Sequence, residues 1–255
     1  MAVRELFLFP GGTLEVEKSL ISYRLHFGIK ERIPVVMALI KTDDGNILFD
    51  VGLDPDGLRD PQRTWGIKAE HVVCFERKEE IRSYLQQLNL TPKDIEYVII
   101  SHLHWDHCGA LRFFKDSSII IQKSEYRFAF YPDSFVAPIY IREHFDHPLD
   151  YKLIEGDAQI VPGVHVIHTP GHTPGHQSLM LKLPQEGTII LAADAIFMEE
   201  NIEKDTPSSN AWSPDLAMNS MHRIQSLALW EGACLIPGHE PKLWARTKSW
   251  PESFK

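Results

Sequence analysis

The segment SHLHWDHCG places His102, His104, Asp106 and His107 within a few residues of one another, directly after the apolar run Tyr97 to Ile100. A lone histidine is more often a satisfied polar side chain than a ligand, but four donor side chains this close change that reading. Residues two apart at the end of an extended strand share a face, so His102 and His104 can converge on one cation. Asp106 and His107, in the following turn, then face a second. Imidazole nitrogens and a carboxylate oxygen suit zinc, and manganese, iron or cobalt accept the same set.

Three more donors stand at the ends of later apolar runs: His172 in HTPGHTPGH, Asp194 in LAADAIF and His239 in LIPGHEP. Taken singly they read as a loop histidine, a helix cap and a surface histidine. Together with the first motif they exceed what one tetrahedral ion uses, and a carboxylate between two cations can bridge them. Two cations roughly 3.5 to 4 Å apart can share a water and bring its pKa from ~15.7 towards ~7. The expected chemistry is attack of that metal-bridging hydroxide on a carbonyl, with the cations taking up the charge that develops on oxygen. Asp106 stands where it can carry the proton to the leaving group.

The elements that must position these donors follow from periodicity. Val35 to Ile40 and Asn46 to Asp50 flank Asp44-Gly45 and predict a hairpin. Ile81, Tyr84, Leu85 and Leu88 share one helical face over 78–88, and Thr91-Pro92 predicts a capped short turn. Tyr97 to Ile100 and Ile119 to Ile121 predict strands buried on both faces, the second leading into a helix over 124–130. The stretch Tyr131 to Asp150 is irregular and long for a connection, and its Phe135, Tyr140 and Phe145 could wall an acyl pocket or lie in a homodimer interface. Short strands then recur in YKLIE, GVHVIH, QSLMLKL and TIILAAD. A helix from Ser213-Pro214-Asp215 to about Trp230, with Ala217, Met221, Ile224 and Ala228 on one face, precedes a last strand over Ala233 to Ile236. Two halves result, each a mixed sheet covered by helices.

The 255 residues, 44% hydrophobic, suffice for one large domain over 1–255 with a substantial core. A formal charge of −9 disfavours a nucleic-acid partner, and three cysteines are too few for a disulfide framework. The apolar run Leu6 to Phe9 is shorter than the ~7 residues of a signal-peptide core. No stretch reaches the ~20 apolar residues that span a bilayer. The expectation is a soluble, cytoplasmic protein acting on a small molecule.

The motif H-x-H-x-D-H at His102 to His107, with His172, Asp194 and His239 after it, resembles the metallo-β-lactamase superfamily. Within it, the ILFDVG, SHLHWDHCG, HTPGHTPGHQSL and SPDLAMNSMHRI segments are most similar to the N-acyl homoserine lactonases, across nearly the whole chain. This resemblance implies a four-layer αββα sandwich of two mixed sheets, with two zinc ions at one edge. By it His102, His104 and His172 would hold one ion, Asp106, His107 and His239 the other, and Asp194 would bridge. Asp50 would orient a ligand histidine, or is simply a polar strand end beside a glycine turn; His176 reads as a neighbour of the ligands. His104, where diiron flavoproteins of the superfamily resemble it with Glu, disfavours a redox site, and Asp194, where two-zinc β-lactamases carry Cys, disfavours that activity. Cys108 reads as a small buried residue.

The chain departs from the lactonase pattern at Phe197. A Tyr is expected there, three residues after the bridging Asp, with its hydroxyl on the substrate carbonyl. Tyr23, Tyr131 and Tyr140 are candidate substitutes, although each reads more readily as a packing aromatic. Trp105 either points away from His104 and Asp106 into the core or lines the cleft. The leading reading is a dizinc lactonase. A hydrolase of other esters, thioesters or phosphoesters is the alternative, and a non-catalytic metal-containing binding protein is the third reading.

Overall fold

In β1 (Val3–Glu17) the run Leu6-Phe7-Leu8-Phe9 is buried on both faces, and its alternate residues enter different cores. Leu6 and Leu8 pack inward with Ile40, Ile47 and Ile99 against a second sheet. Phe7 and Phe9 pack outward with Leu39, Leu48 and Val98 under Tyr84 and Leu85 of the helix Ile81–Gln87. The computed structural model describes residues 3–255; Met1 and Ala2 of the domain expected over 1–255 lie outside the described residues.

The remaining strands are β2 (Lys30–Thr42), β3 (Gly45–Phe49), β4 (Val72–Cys74), β5 (Ile95–Ile99), β6 (Ser118–Gln122), β7 (Asp150–Ile154), β8 (Ala158–Val161), β9 (Val164–His168), β10 (Gln177–Leu183), β11 (Gly187–Leu191) and β12 (Cys234–Ile236). The first seven form one sheet in the order β4-β1-β2-β3-β5-β6-β7, and the last five form another in the order β12-β11-β10-β9-β8. Both are mixed: β1 to β3 pair antiparallel and β3, β5, β6 and β7 parallel, while β11–β12 is the parallel pair of the second sheet. Val164, Val166, Leu179, Leu181, Ile189 and Leu191 supply the second sheet's share of the central core. Its outer face, Ile167, Met180 and Ile190, is covered by Met221, Ile224 and Ala228 of the helix Pro214–Glu231. Helix, sheet, sheet and helix therefore stack as the αββα sandwich.

Several local expectations hold with small changes. The Asp44-Gly45 hairpin forms, with Gly45 at φ 116. The helix expected over 78–88 starts only at Ile81, because Glu80 is extended and Arg77–Glu79 form a separate 3-10 turn. Ser213 takes the N-cap place of the long helix without a side-chain cap bond; Pro214 starts the helix and Gly232, at φ 60, ends it. The 131–150 stretch contains two 3-10 turns and divides in two: Phe145 is fully buried against Phe130, whereas Phe135 is exposed. Among the described residues no helix is long and apolar enough to cross a membrane.

Candidate metal centre and active site

All the donors arise where strands stop at one edge of the sandwich. His102 and His104 lie in irregular backbone just past β5, His172 in the β9–β10 loop, Asp194 after β11 and His239 after β12. A helical turn begins at Trp105 (Trp105–Cys108), so strand alternation ends there. That corrects one of the two orientations expected for Trp105: it lines the same cavity as His104 and Asp106, while its ring packs 6.3 Å from Trp65. Cys108 is buried, as expected.

The side chains converge in two sets. His102 Nε2 lies 2.9 Å from His104 Nδ1, and His172 Nε2 lies 3.0 Å from the same nitrogen. Zn–N bonds of about 2.0–2.1 Å in a tetrahedron set N–N separations of roughly 3.3 Å, so these three nitrogens are spaced as ligands of one ion. Asp106, His107 and His239 form the other set, and a third grouping, His102, His107 and Asp194, joins the two. Asp194 Oδ2 lies 3.2 Å from His172 Nε2, while its Oδ1 lies 3.1 Å from His239 Nε2 and 3.3 Å from His107 Nε2. One carboxylate thus turns an oxygen towards each set. His107 Nε2 and Asp194 Oδ1, which face each other across the second set, are buried polar atoms with no hydrogen-bond partner, a costly arrangement unless a cation satisfies donors of this kind. The residues present fit a metal.

The electrostatics point the same way. Burial, reinforced by neighbouring imidazoles, holds His102 and His104 well below the usual histidine range, in the neutral form that ligates. Burial also opposes charge on His107, but Asp194, Asp106 and Asp50 outweigh it and raise its pKa well above normal. Burial opposes ionisation of Asp194, yet His239, His107, His172 and His102 hold its pKa well below the carboxylate range. Positive charge is thus favoured at His107 and His239, where Asp194 and Asp106 act, and disfavoured on His102 and His104.

Partners behind the donors fix which nitrogen faces inward. His107 Nδ1 donates to Asp50 Oδ2 at 2.7 Å, and His239 Nδ1 donates to the Pro34 carbonyl at 2.8 Å, leaving both Nε2 atoms towards the centre. Ser101 donates to Asp50 through N and Oγ, both at 2.7 Å, and its Oγ accepts from His102 Nδ1 at 2.9 Å. Asp50 and Ala193 adopt left-handed backbone, at φ 57 and 47, beside the residues they serve. His176 touches no donor nitrogen; its Nε2 accepts from the Asp194 backbone N–H at 3.1 Å, and burial pushes its pKa down to about 3, which preserves that acceptor.

The sequence reading missed Glu125. Its buried carboxylate accepts from Leu103 N at 3.0 Å and Gly175 N at 3.1 Å, tying the His102–His104 segment to the His172 loop. A Cβ on Gly175 would stand 2.2 Å from Glu125 N, so only glycine permits this approach. Burial raises the Glu125 pKa against these bonds. Glycine in HTPGH was the one available signal, and it does not name its partner.

A cavity of about 540 Å³ opens onto His104, Asp106, Asp194 and His239. Its walls include Leu14, Val16, Ile21, Ile33 and Ile139, and Phe135 and Val136 come from the irregular stretch. Phe197 lines it too, stacked on His239 with centroids 5.1 Å apart and edge-on to His172 at 5.3 Å. None of the three candidate tyrosines is among its lining residues. Tyr131 is exposed, and Tyr140 packs against the His104 ring and donates to Glu125 at 3.3 Å.

A sequence model of the metallo-β-lactamase superfamily matches residues 31–239. The chain belongs to this superfamily. Within the superfamily it is 34% identical to an N-acyl homoserine lactonase of Bacillus cereus, over 99% of both chains, and 33% identical to the N-acyl homoserine lactonase AttM of Rhizobium radiobacter, over 98% of both. A Bacillus thuringiensis AiiA variant, solved with N-decanoyl-L-homoserine at its active site, superposes with a TM-score of 0.91 at 32% identity, covering all of both chains.

Proposed function

We propose that this metallo-β-lactamase superfamily member is a hydrolase that opens the ester ring of N-acyl homoserine lactones on two zinc ions. His102, His104 and His172 would hold one, Asp106, His107 and His239 the other, with Asp194 between them. The observation that carries the reading is Asp194, which turns one oxygen to each donor set at the floor of an apolar-walled cavity. The relatives named as lactonases supply the substrate class. Zinc suits the nitrogen and carboxylate donors, which would also accept manganese, iron or cobalt. The same reading takes residues 1–255 as one domain, without a nucleic-acid or membrane partner, in the cytoplasm, with self-association through the 131–150 stretch left to measurement.

Two such ions, when bound, supply a water that ionises near neutral pH and compensation for charge on oxygen. Ring opening adds the water oxygen to the carbonyl carbon and breaks that carbon's bond to the ring oxygen. A proton must reach the departing alkoxide, leaving a carboxylate and a hydroxyl. Asp106, which lines the cavity beside His107 and His239, would take up the proton that the attacking water gives up and pass it to that alkoxide. Trp105 and Phe197 wall the reacting end, and Asp50 keeps His107 in the ligating tautomer.

A second reading, hydrolysis of another ester, thioester or phosphoester, rests on Phe197, whose ring offers no donor to a lactone carbonyl. Purified protein should contain two metal ions per chain by elemental analysis. Among lactones, thioesters and phosphodiesters it should turn over acyl homoserine lactones best. One ion or none in folded protein would overturn the dinuclear assignment, and faster turnover of a non-lactone would move the function to the second reading.

A further inference from the structure

Lys68 lies in the 3-10 turn Gly66–His71 and lines the cavity together with His104, Asp106, Phe197 and His239. It is partly buried, although a lysine stem ordinarily carries its ammonium into bulk water. Burial lowers its pKa; the charge that acts against this is the carboxylate of Asp106, and no hydrogen-bonding side chain contributes. Two further polar side chains of this wall are committed, whereas Asn210 has a buried Oδ1 with no hydrogen-bond partner but carries no charge. His71 Nδ1 is bonded to the Glu15 carbonyl at 3.2 Å, and Ser209 Oγ donates to the Ser19 carbonyl at 2.5 Å. An unpaired cation that lines the same cavity as the proton-delivering carboxylate, in a wall that includes Leu14, Val16, Ile21 and Ile33, is placed to meet negative charge on a bound molecule.

Ring opening creates such charge, first on the carbonyl oxygen as water adds and then on the product carboxylate. The ring at position 197 supplies no hydroxyl to receive it. We infer that Lys68 is the donor that this chain uses in place of a hydroxyl at position 197: its ammonium hydrogen-bonds the substrate carbonyl oxygen as charge develops there. The inference rests on the lactonase reading. A donor engaged mainly as charge develops acts on kcat more than on KM, whereas a lysine that merely packs the wall would alter stability or KM.

The test uses metal-loaded full-length protein and an acyl homoserine lactone. Lys68→Met keeps the length of the side chain and removes the charge; it should lower kcat by about 100-fold, the order lost with one oxyanion donor, with KM little changed. Lys68→Arg should retain most of the rate. Phe197→Tyr should raise kcat several-fold more in the Lys68→Met background than in the wild type, because the hydroxyl then fills a role left empty. Wild-type rates in Lys68→Met, or equal gains from Phe197→Tyr in both backgrounds, would overturn the assignment while leaving the lactonase reading intact. The same would follow if Asn210→Ala, which removes the uncommitted amide of this wall, showed this pattern and Lys68→Met did not. A wild-type protein that opens no lactone would overturn both readings.

Discussion

The floor of the cavity and its walls are built on different terms. On the floor His102, His104, His107, His172 and His239 are buried, and Asp50, Ser101, Glu125 and the Pro34 carbonyl fix ring tautomers or the backbone that carries them. In the walls Leu20, Ile67 and Phe135 remain 42%, 69% and 67% exposed, and Lys68 has no partner that orients it. Ligand chemistry tolerates errors of tenths of an ångström, and His102, His107 and His239 are each held by a second group through the ring nitrogen that faces away from the centre. An apolar wall needs area and shape, which many side chains supply. The seven candidate donors gather on the floor, whereas Phe197 lies in the wall.

The largest effects should follow from breaking the floor. Asp106→Asn keeps the size of the side chain but removes a proton carrier and weakens a ligand, so turnover should fall by about 10²- to 10⁴-fold while the fold is retained. Steady-state kinetics on metal-replete variant, with circular dichroism as the control, checks this; wild-type turnover would take Asp106 out of the reaction. One layer further back, Asp50→Ala removes the acceptor for His107 Nδ1 and for both Ser101 donors. Metal affinity should drop by about 10- to 100-fold, read by chelator competition, with turnover recovering at high zinc. Unchanged affinity would mean that His107 keeps its tautomer without Asp50.

These two layers also differ in how far they can be read from the chain. His102, His104, Asp106 and His107 are legible because a metal centre demands particular residue types at close spacing, and Asp194 because its carboxylate interrupts an apolar run. Glu125 is not, since an acid in KSEYR looks like any charged helix residue until the fold brings Leu103 N and Gly175 N to it. The helix Pro214–Glu231 buries the stripe that its spacing predicts, because one face meets one sheet. β1 was harder: with both faces covered, LFLF shows no alternation of polar and apolar residues. Trp105 turns on a local event, the helical turn that starts at that residue.

A gentler change tests the wall. Phe197→Tyr adds a hydroxyl to a ring that already lines the cavity, and lactone kcat should rise at most about ten-fold, well below the ~10²- to 10³-fold that a missing donor costs, because Lys68 already serves the carbonyl. The comparison to make is kcat on an acyl lactone against kcat on the best alternative ester. Loss on the alternative with no gain on the lactone would favour the second reading, since an unpaired hydroxyl would then lie against an apolar part of the true substrate.

The smallest effect should come from a site that belongs to neither floor nor wall. Asp157, between β7 and β8, accepts from His168 N at 2.9 Å and pairs with Arg223 of the helix Pro214–Glu231, whose Nη1 also donates to the His168 carbonyl at 2.7 Å. Burial opposes ionisation of Asp157, but Arg223 and the His168 N–H outweigh it and lower its pKa. A carboxyl whose folded pKa is depressed contributes stability that is present above the unfolded value of about 3.9 and lost as pH falls through the lowered folded value. Both partners are about half exposed, so solvent screening limits the pair to roughly 0.2–1 kcal/mol. Asp157→Asn should therefore lower the unfolding free energy by less than about 1 kcal/mol at pH 7, and denaturant titrations of the two proteins should converge as pH falls through the lowered pKa of Asp157. Lactone turnover should stay at the wild-type level, because neither partner lines the cavity. A gap that persists into acid would assign the loss to the neutral hydrogen bond with His168 rather than to charge.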